Sequence, residues 1–496
     1  MQRSLLFAGA IALSGCTSLE NALLGEPADT TPNLPSTPEG WAQKSDVEAA
    51  QSENWLAQFN DPALVEIIEE ALTANPRILE SEARVRVAKQ NSRAVFGRSL
   101  PSANYSFSNG YATQFASTAL GGGVVVDGRF NQPTYDQRVD LQWELDLWGR
   151  VRANNRAARS DFFATEADLA AARLSLGGEA AVAWIDLNAA LEQERVAEET
   201  MAARKRVVDL TERRFERGLS TALDVRTART ELAQADAQIA LQGQTRENAA
   251  RRLEVLLGRY PSTEIEAPAE LPVLDGIRTI SDPTVLLSRR PDIAAAEARL
   301  EAAGYRAEVA RLAMLPSFNA TSTISNSSSI EFADILDPER ISANIFGALT
   351  QNIWNGGALK ADKRGAYARV EELSATYANA VLTAWREVED ALANDRYLAI
   401  QLEAQKRALE EARLAEDLAL RQYQNGLVDI FNLLQSQTTR LNAESSYINV
   451  SAQRVTNRID YHLALGGGGP LGPEAEDEQI INATQNSAQS SESKAP

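Results

Sequence analysis

The sequence predicts an internally duplicated α+β protein. Three observations predict it: a repeat at fixed offsets, two proline-free segments long enough for very long helices, and alternating strands too few to close a barrel alone.

The repeat is the strongest of these. Pro76 and Pro101 are 25 residues apart, as are Pro291 and Pro316. Between them Glu82-Ala83-Arg84 matches Glu297-Ala298-Arg299, and beyond them Ser102 and Asn104 match Ser317 and Asn319. Trp148-Gly149 recurs as Trp354 followed by Gly356 and Gly357. Phe215-Glu216-Arg217-Gly218-Leu219 recurs as Tyr423-Gln424-Asn425-Gly426-Leu427, and Gly218 to Gly258 spans 40 residues, as does Gly426 to Gly466. Each copy reads helix, strand pair, very long helix, shorter helix. The first covers 53–260 and the second 281–466, with a linker over 261–280.

The long helices are expected from Arg150 to Arg217 and from Ala358 to Asn425. Each is then about 100 Å long at 1.5 Å per residue. Both segments are rich in Ala, Glu, Arg and Leu and contain no proline, so propensity favours helix throughout. Gly177-Gly178 is where a bend in the first would fall. Shorter partners follow over Thr221–Leu257 and Asp429–Leu465. Val225, Ala228, Leu232, Ala235 and Ile239 step by 3 and 4, and Leu434, Leu441, Ile448 and Val455 step by 7. That spacing keeps one apolar seam in register in a left-handed coil.

The strands follow Pro101 and Pro316. Tyr105, Phe107, Tyr111 and Phe115 share one parity, with Ser106, Ser108 and Gly110 on the other. In the partner, Val139, Leu141, Trp143, Leu145 and Leu147 alternate with Asp140, Gln142, Glu144 and Asp146. Phe318 and Ile324 mark a third strand, and Ile341, Ile345, Leu349 and Ile353 a fourth. Thr118–Phe130 and Ser327–Arg340 read as exposed loops. A transmembrane strand needs such alternation, and so does a soluble sandwich. Since a bacterial membrane barrel needs about eight strands, four entering a membrane must be joined by other chains.

Composition removes most enzyme classes. The chain of 496 residues has a net charge of −19, against a nucleic-acid binder. One cysteine and one histidine exclude an internal disulfide and a zinc site of the usual Cys/His type. No GxSxG, GxxxxGK[ST] or HExxH motif occurs. His462, near the end of the last helix, is expected to be structural. No catalytic residue, metal or cofactor is expected.

Residues 1–15 read as a signal peptide, with Arg3 followed by an apolar run too short to remain as a transmembrane helix. The run ends in Leu13-Ser14-Gly15-Cys16, which resembles a bacterial lipoprotein signal. That resemblance implies cleavage before Cys16 and lipidation of its thiol. Thr17 and Ser18 follow it, with no aspartate at the next position, the pattern of lipoproteins sent to the outer membrane. Residues 16–52 read as lipid anchor and extended tether, rich in proline. Residues 467–496 read as an acidic disordered tail.

From Trp55 to Gly466 the chain resembles the outer-membrane efflux protein family, the TolC-like channels, in the lipoprotein branch that includes OprM and NodT. Three segments carry the resemblance. They are Asn54-Trp55 with Phe59-Asn60-Asp61-Pro62-Ala63-Leu64; Trp143-Glu144-Leu145-Asp146-Leu147-Trp148-Gly149-Arg150-Val151-Arg152; and Arg289-Arg290-Pro291-Asp292-Ile293 through Ala296-Glu297-Ala298 to Leu315-Pro316-Ser317. The resemblance implies a homotrimer sharing a 12-stranded outer-membrane β-barrel, a long periplasmic α-helical barrel and a mixed equatorial domain. It implies a passive exit duct for drugs and small molecules. Its partners would be a periplasmic adaptor (membrane fusion) protein and an inner-membrane transporter of the proton-driven resistance-nodulation-division (RND) type.

The same resemblance places adaptor contacts at the two helix turns, Arg217, Gly218, Leu219 and Ser220, and Asn425, Gly426, Leu427 and Val428. Beyond the second turn, family members often narrow the lumen with aspartates. Here Asp429, Phe431, Asn432 and Gln435 occupy that stretch. The expectation is an apolar constriction at Phe431, with Asn432 and Gln435 tying helices together. Asp140, Glu144 and Asp146 would favour cations in the lumen. Two alternatives stay open: the outer-membrane part of a type I protein secretion system, and a lipid-anchored periplasmic scaffold that forms no pore.

Overall fold

A computed structural model describes residues 24–32, 34, 40–42, 55–120, 124–268, 270–272, 274, 283–328 and 331–467. Cys16, the signal peptide and the acidic tail beyond 467 lie outside the described residues. The described helices are α1 (Pro62–Ala74), α2 (Pro76–Gly97), α3 (Arg150–Glu216), α4 (Ala222–Leu256), α5 (Val285–Arg289), α6 (Pro291–Leu312), α7 (Ala358–Gln424) and α8 (Ile430–Ala464). The strands are β1 (Ser102–Leu120), β2 (Val124–Leu145), β3 (Ser317–Ser328) and β4 (Ser342–Thr350). The duplication holds in the helices: α3 and α7 each have 67 residues, and α4 and α8 each have 35. No described helix is long and apolar enough to cross a membrane.

The chain divides into two compact units. The first holds residues 1–33, 86–165 and 296–377. Its centre is an antiparallel sheet in the order β1-β2-β3-β4. Thr118–Phe130 reads as a loop in the sequence, but β1 runs to Leu120 and β2 starts at Val124. The register shows why: every residue from Ser102 to Leu120 finds a partner, so pairing continues almost to the tip. Ser327–Arg340 likewise contains two 3-10 turns, Phe332–Leu336 and Pro338–Arg340. Phe332 packs edge-on to Phe107 and Tyr135, and Asn326 Nδ2 donates to the carbonyls of Ile335 (2.9 Å) and Asp337 (2.8 Å). The second connection thus folds onto its own sheet.

The junction from β2 to α3 explains the Trp-Glu-Leu-Asp-Leu-Trp-Gly-Arg segment. Asp146 accepts from the amides of Val151 (3.0 Å) and Arg152 (2.9 Å), so a carboxylate covers open N–H groups at the start of α3. Arg150 pairs with Glu144 at 2.6 Å, and Gly149 turns the chain at φ 88°. Trp148 Nε1 donates to the Pro316 carbonyl, 2.7 Å, which ties this junction to the lead-in of β3. Residues 24–32, expected within a free tether, are docked. Lys363 Nζ donates to the Leu24 carbonyl, Tyr367 Oη to that of Glu26 (2.6 Å), and Leu24 is buried.

The second unit holds residues 34–85, 166–295 and 378–496. Its main core gathers Leu64, Ile68, Trp184, Leu187, Leu253, Val455 and Ile459. Asn60 takes a left-handed φ of 50°, and Asp61 then caps α1 through the amides of Ala63 and Leu64. The other oxygen of Asp61 accepts from Trp184 Nε1 at 2.7 Å, which locks the cap to the core. Gly177-Gly178 does not break α3. A Cβ at Gly178 would lie 2.2 Å from Leu463 Cδ1, so this glycine lets a neighbouring helix approach closely. The seam read from the sequence is buried at Ala228, Ala235, Leu434, Ile448 and Val455.

Candidate functional site

The first unit presents a sheet with two chemically distinct faces. In an antiparallel ladder, directly paired residues point to the same side. Tyr105 pairs with Val139 and Val139 with Ile324; Trp143 pairs with Ala320, and Phe318 with Leu349. That face is largely apolar and, away from the turn at Phe332, exposed: Tyr105 is 67% exposed and Ile345 83%. On the other face Arg138 Nε donates to Ser106 Oγ (3.0 Å) and pairs with Asp140 (3.2 Å), which accepts from Thr323 Oγ1 (2.9 Å). β3 and β4, at 12 and 9 residues, match the roughly 9–11 residues of a strand tilted across a bilayer. The outer edges of β1 and β4 have no partner among the described residues.

The second unit contains both helix turns. In the first, Gly218 takes φ 71° and the Leu219 amide donates to the Arg214 carbonyl at 2.8 Å. In the second, Gly426 takes φ 73° and the Leu427 amide donates to the Gln422 carbonyl at 2.9 Å. Both are left-handed caps, which glycine adopts without a Cβ penalty. Thr221 then starts α4 through a reciprocal capping box with Asp224, and Asp429 starts α8 by accepting from the Asn432 amide at 3.0 Å. Arg217, Leu219, Asn425 and Leu427 are exposed at the tips. Ser220 is tied back to the Thr211 carbonyl (3.2 Å), and Val428 packs on the small core beneath.

Asp429, Phe431, Asn432 and Gln435 all lie on the exposed side of the start of α8, while Ile430, Leu433 and Leu434 are buried. Phe431 is 54% exposed and is not part of the packed cluster of its own chain. Among the described residues, the side chain of Asn432 bonds within its own turn. Its Nδ2 donates to Asp429 Oδ1 at 2.9 Å, so the amide completes the cap.

Residues not singled out from the sequence hold the two turns together. Arg214 Nη1 donates to the carbonyls of Tyr423 (3.0 Å) and Gln424 (3.2 Å), and its Nη2 to that of Leu219 (3.3 Å). The same guanidinium lies over the Tyr423 ring, whose hydroxyl meets Thr211 Oγ1 at 2.8 Å. Further along, Arg440 pairs with Glu416 (2.5 Å) and Glu444, and Arg204 reaches Thr438 (2.9 Å) and Glu231 (3.3 Å). Arginine against apolar neighbours is the only sequence signal these carry.

A cavity of about 1190 Å³ opens on α3, α4, α7 and α8. Its lining is rich in carboxamides, among them Gln193, Gln238, Gln242, Asn394, Asn449 and Gln453. Asp186 and Asp460 also line it; burial raises both carboxyl pKa values, partly opposed at Asp186 by Arg252. Gln435, Asn442, Asn449 and Thr456 recur every seven residues, one place after the buried seam. The exposed Gln435 therefore shares a helix face with the cavity wall. Among the described residues no cluster of His, Cys, Asp and Glu could hold a metal ion.

These parts define a chain with a largely exposed amphipathic sheet and long helices with polar, cavity-lining faces. The family model for outer membrane efflux proteins matches residues 67–259 and 283–467, and the chain belongs to that family. It is 30% identical over 425 residues to the pyoverdine export outer membrane protein OpmQ of Pseudomonas aeruginosa, covering 85% of this chain and 88% of that one. It is 26% identical to the probable outer membrane lipoprotein SilC of Salmonella typhimurium, over 92% of this chain and 96% of that one. The outer-membrane channel OprN superposes with a TM-score of 0.78 at 28% identity, covering 89% of this chain and 99% of that one. The chain is thus an outer-membrane efflux channel component with a TolC-like fold.

Proposed function

We propose that three copies close one barrel from twelve strands and continue it as a hollow helical tube, forming the passive exit duct of a tripartite pump. The observation that carries this is the sheet of the first unit, with one apolar face, one polar face and two unpaired edges. Unpaired edge groups in lipid cost several kcal/mol each, so the edges must meet other copies. The apolar face then meets lipid and the Arg138–Asp140–Thr323 face lines water. Cys16 carries the lipid anchor.

The turns at Arg217–Ser220 and Asn425–Val428 meet a periplasmic adaptor protein, and an RND-type inner-membrane transporter supplies the energy. Small-molecule cargo is favoured over protein because relatives are named for pyoverdine export and toluene efflux. No residue is assigned a catalytic step. Phe431 narrows the duct, since it is exposed in a chain whose neighbouring Leu433 is fully buried. Planar-bilayer conductance tests both points. Wild-type protein is expected to give discrete pores, and Phe431→Ala to raise closed-state conductance. Absence of pores from both would remove the duct, and an unchanged closed state would remove the constriction.

A further inference from the structure

The proposed ring requires β4 of one copy to pair with β1 of the next, and the duplication fixes how. Within the chain the two repeats can be aligned by structure. α2 and α6 each have 22 residues, and β1 and β3 start at Ser102 and Ser317, an offset of 215. Between the second halves the offset is 208. The long helices start at Arg150 and Ala358, and Gly149 (φ 88°) matches Gly357 (φ 87°). The two hairpins confirm these offsets independently. Ala103 pairs with Leu141 in the first, and the equivalent residues, Phe318 and Leu349, pair in the second.

The two tryptophans are therefore out of step. Sequence alignment pairs Trp148 with Trp354, an offset of 206, but the structure places Gly356 opposite Trp148. Trp354 sits two residues early, beyond the end of β4, and is 86% exposed.

The junction β2–β3 is closed within the chain, with Leu141 opposite Ser322 and Gln137 opposite Asn326. Carrying it over by the structural offsets gives the open junction. We infer the register of that antiparallel junction: Leu349 of β4 lies opposite Phe107 of the neighbour's β1, and Ile345 opposite Tyr111. This inference rests on the ring proposed above. One observation fixes the parity and a second selects the register. Leu349, Ile345, Phe107 and Tyr111 all belong to the apolar parity, and all are exposed on the open edges. On the polar parity, Phe346 is an anomalous aromatic, 65% exposed. The register sets it opposite Gly110, where an added Cβ would meet only Thr134 Oγ1, at 4.0 Å. An aromatic beside a strand glycine restores the packing the glycine lacks. The register read from the tryptophans would instead set Leu349 opposite Tyr105 and Phe346 opposite Ser108.

Cysteine crosslinking of the full-length lipoprotein separates these. Directly opposed Cβ atoms lie about 4.5–5.5 Å apart, within reach of a disulfide after small adjustment, while diagonal partners lie about 7–8 Å apart. Leu349→Cys with Phe107→Cys is expected to give covalent dimers and trimers on oxidation, at least about fivefold faster than Leu349→Cys with Tyr105→Cys. Ile345→Cys with Tyr111→Cys should repeat the result against Ile345→Cys with Asn109→Cys, in case one pair disturbs folding. Faster crosslinking of the Tyr105 and Asn109 pairs would overturn the register and leave the ring standing. No intermolecular product from any pair in material of trimer mass would overturn the β4–β1 junction. No product in material of monomer mass would overturn the ring itself.

Discussion

The two helix turns share one backbone and differ in what their side chains do. Gly218 and Gly426 have nearly the same φ, and each turn closes with the same pair of backbone bonds. The capping carboxylate, however, has moved. In the first turn Asp224 answers Thr221 from inside the helix; in the second Asp429 is itself the cap and Asn432 answers it. The aromatic residue that precedes each glycine differs as well. Phe215 is 47% exposed, whereas Tyr423 is 3% exposed, covered by Arg214 and bonded to Thr211. Arg214 belongs to the first turn and bonds carbonyls of the second. Duplication supplied two equal frames, and one has become the clamp of the other.

The largest test of this comparison concerns the other ends of the same helices. Gly258 and Gly466 also have positive φ, at 71° and 89°, but they abut backbone. An added Cβ would lie 2.7 Å from the Ala74 carbonyl oxygen or 3.0 Å from that of Arg289. A left-handed alanine costs about 1–2 kcal/mol, and the forced shift about 1–3 more. Gly258→Ala is therefore expected to lower the melting of the helical signal most, followed by Gly466→Ala. Gly218→Ala meets nothing within 4 Å and carries only the backbone cost. Equal losses at Gly258 and Gly218 would mean that close approach contributes nothing.

Arg214→Ala sharpens the contrast between clamp and clamped. It removes donors from the Tyr423, Gln424 and Leu219 carbonyls and uncovers one face of the Tyr423 ring. Hydrogen bonds from a charged donor contribute about 1.5–3 kcal/mol, less where carbonyls can turn to water. Amide exchange is expected to speed up in residues 421–430 more than in 215–221. The reverse order would show that the first turn depends on Arg214 and the second does not.

The sequence carried the helices and their seam to within a residue, because periodicity and the absence of proline act locally. It carried the turn glycines for the same reason. It did not carry the length of the first hairpin. Gly, Ser and charge around Thr118–Phe130 suggested a loop, but in a strand whose partner is already aligned, continued pairing outweighs weak propensity. Nor did it carry Arg214, Arg440 or the docking of Leu24, which depend on which helices meet. The two tryptophans recur but are not equivalent in backbone position: chemical identity survived while the chain around one of them slipped by two residues.

The smallest expected effect concerns the one histidine. The counterpart of the α4 C-terminus, at the end of α8, holds His462 with a pKa lowered to about 3, by burial first and by the charge of Arg458 second. Gln58 Nε2 lies 3.3 Å from its Nε2, and Tyr461 packs edge-on. The unfolded chain, with an ordinary value near 6.5, takes up the proton first as pH falls. The folded state therefore loses stability relative to the unfolded as pH drops from about 6.5 toward 3, and gains nothing above 6.5. His462→Gln cannot titrate there. The melting temperature of wild type should fall relative to this variant across that window, and the two should run parallel above pH 7. A difference independent of pH would show that the imidazole is free to protonate in the folded chain, and that α8 closes against its neighbours less tightly than Gly466 implies.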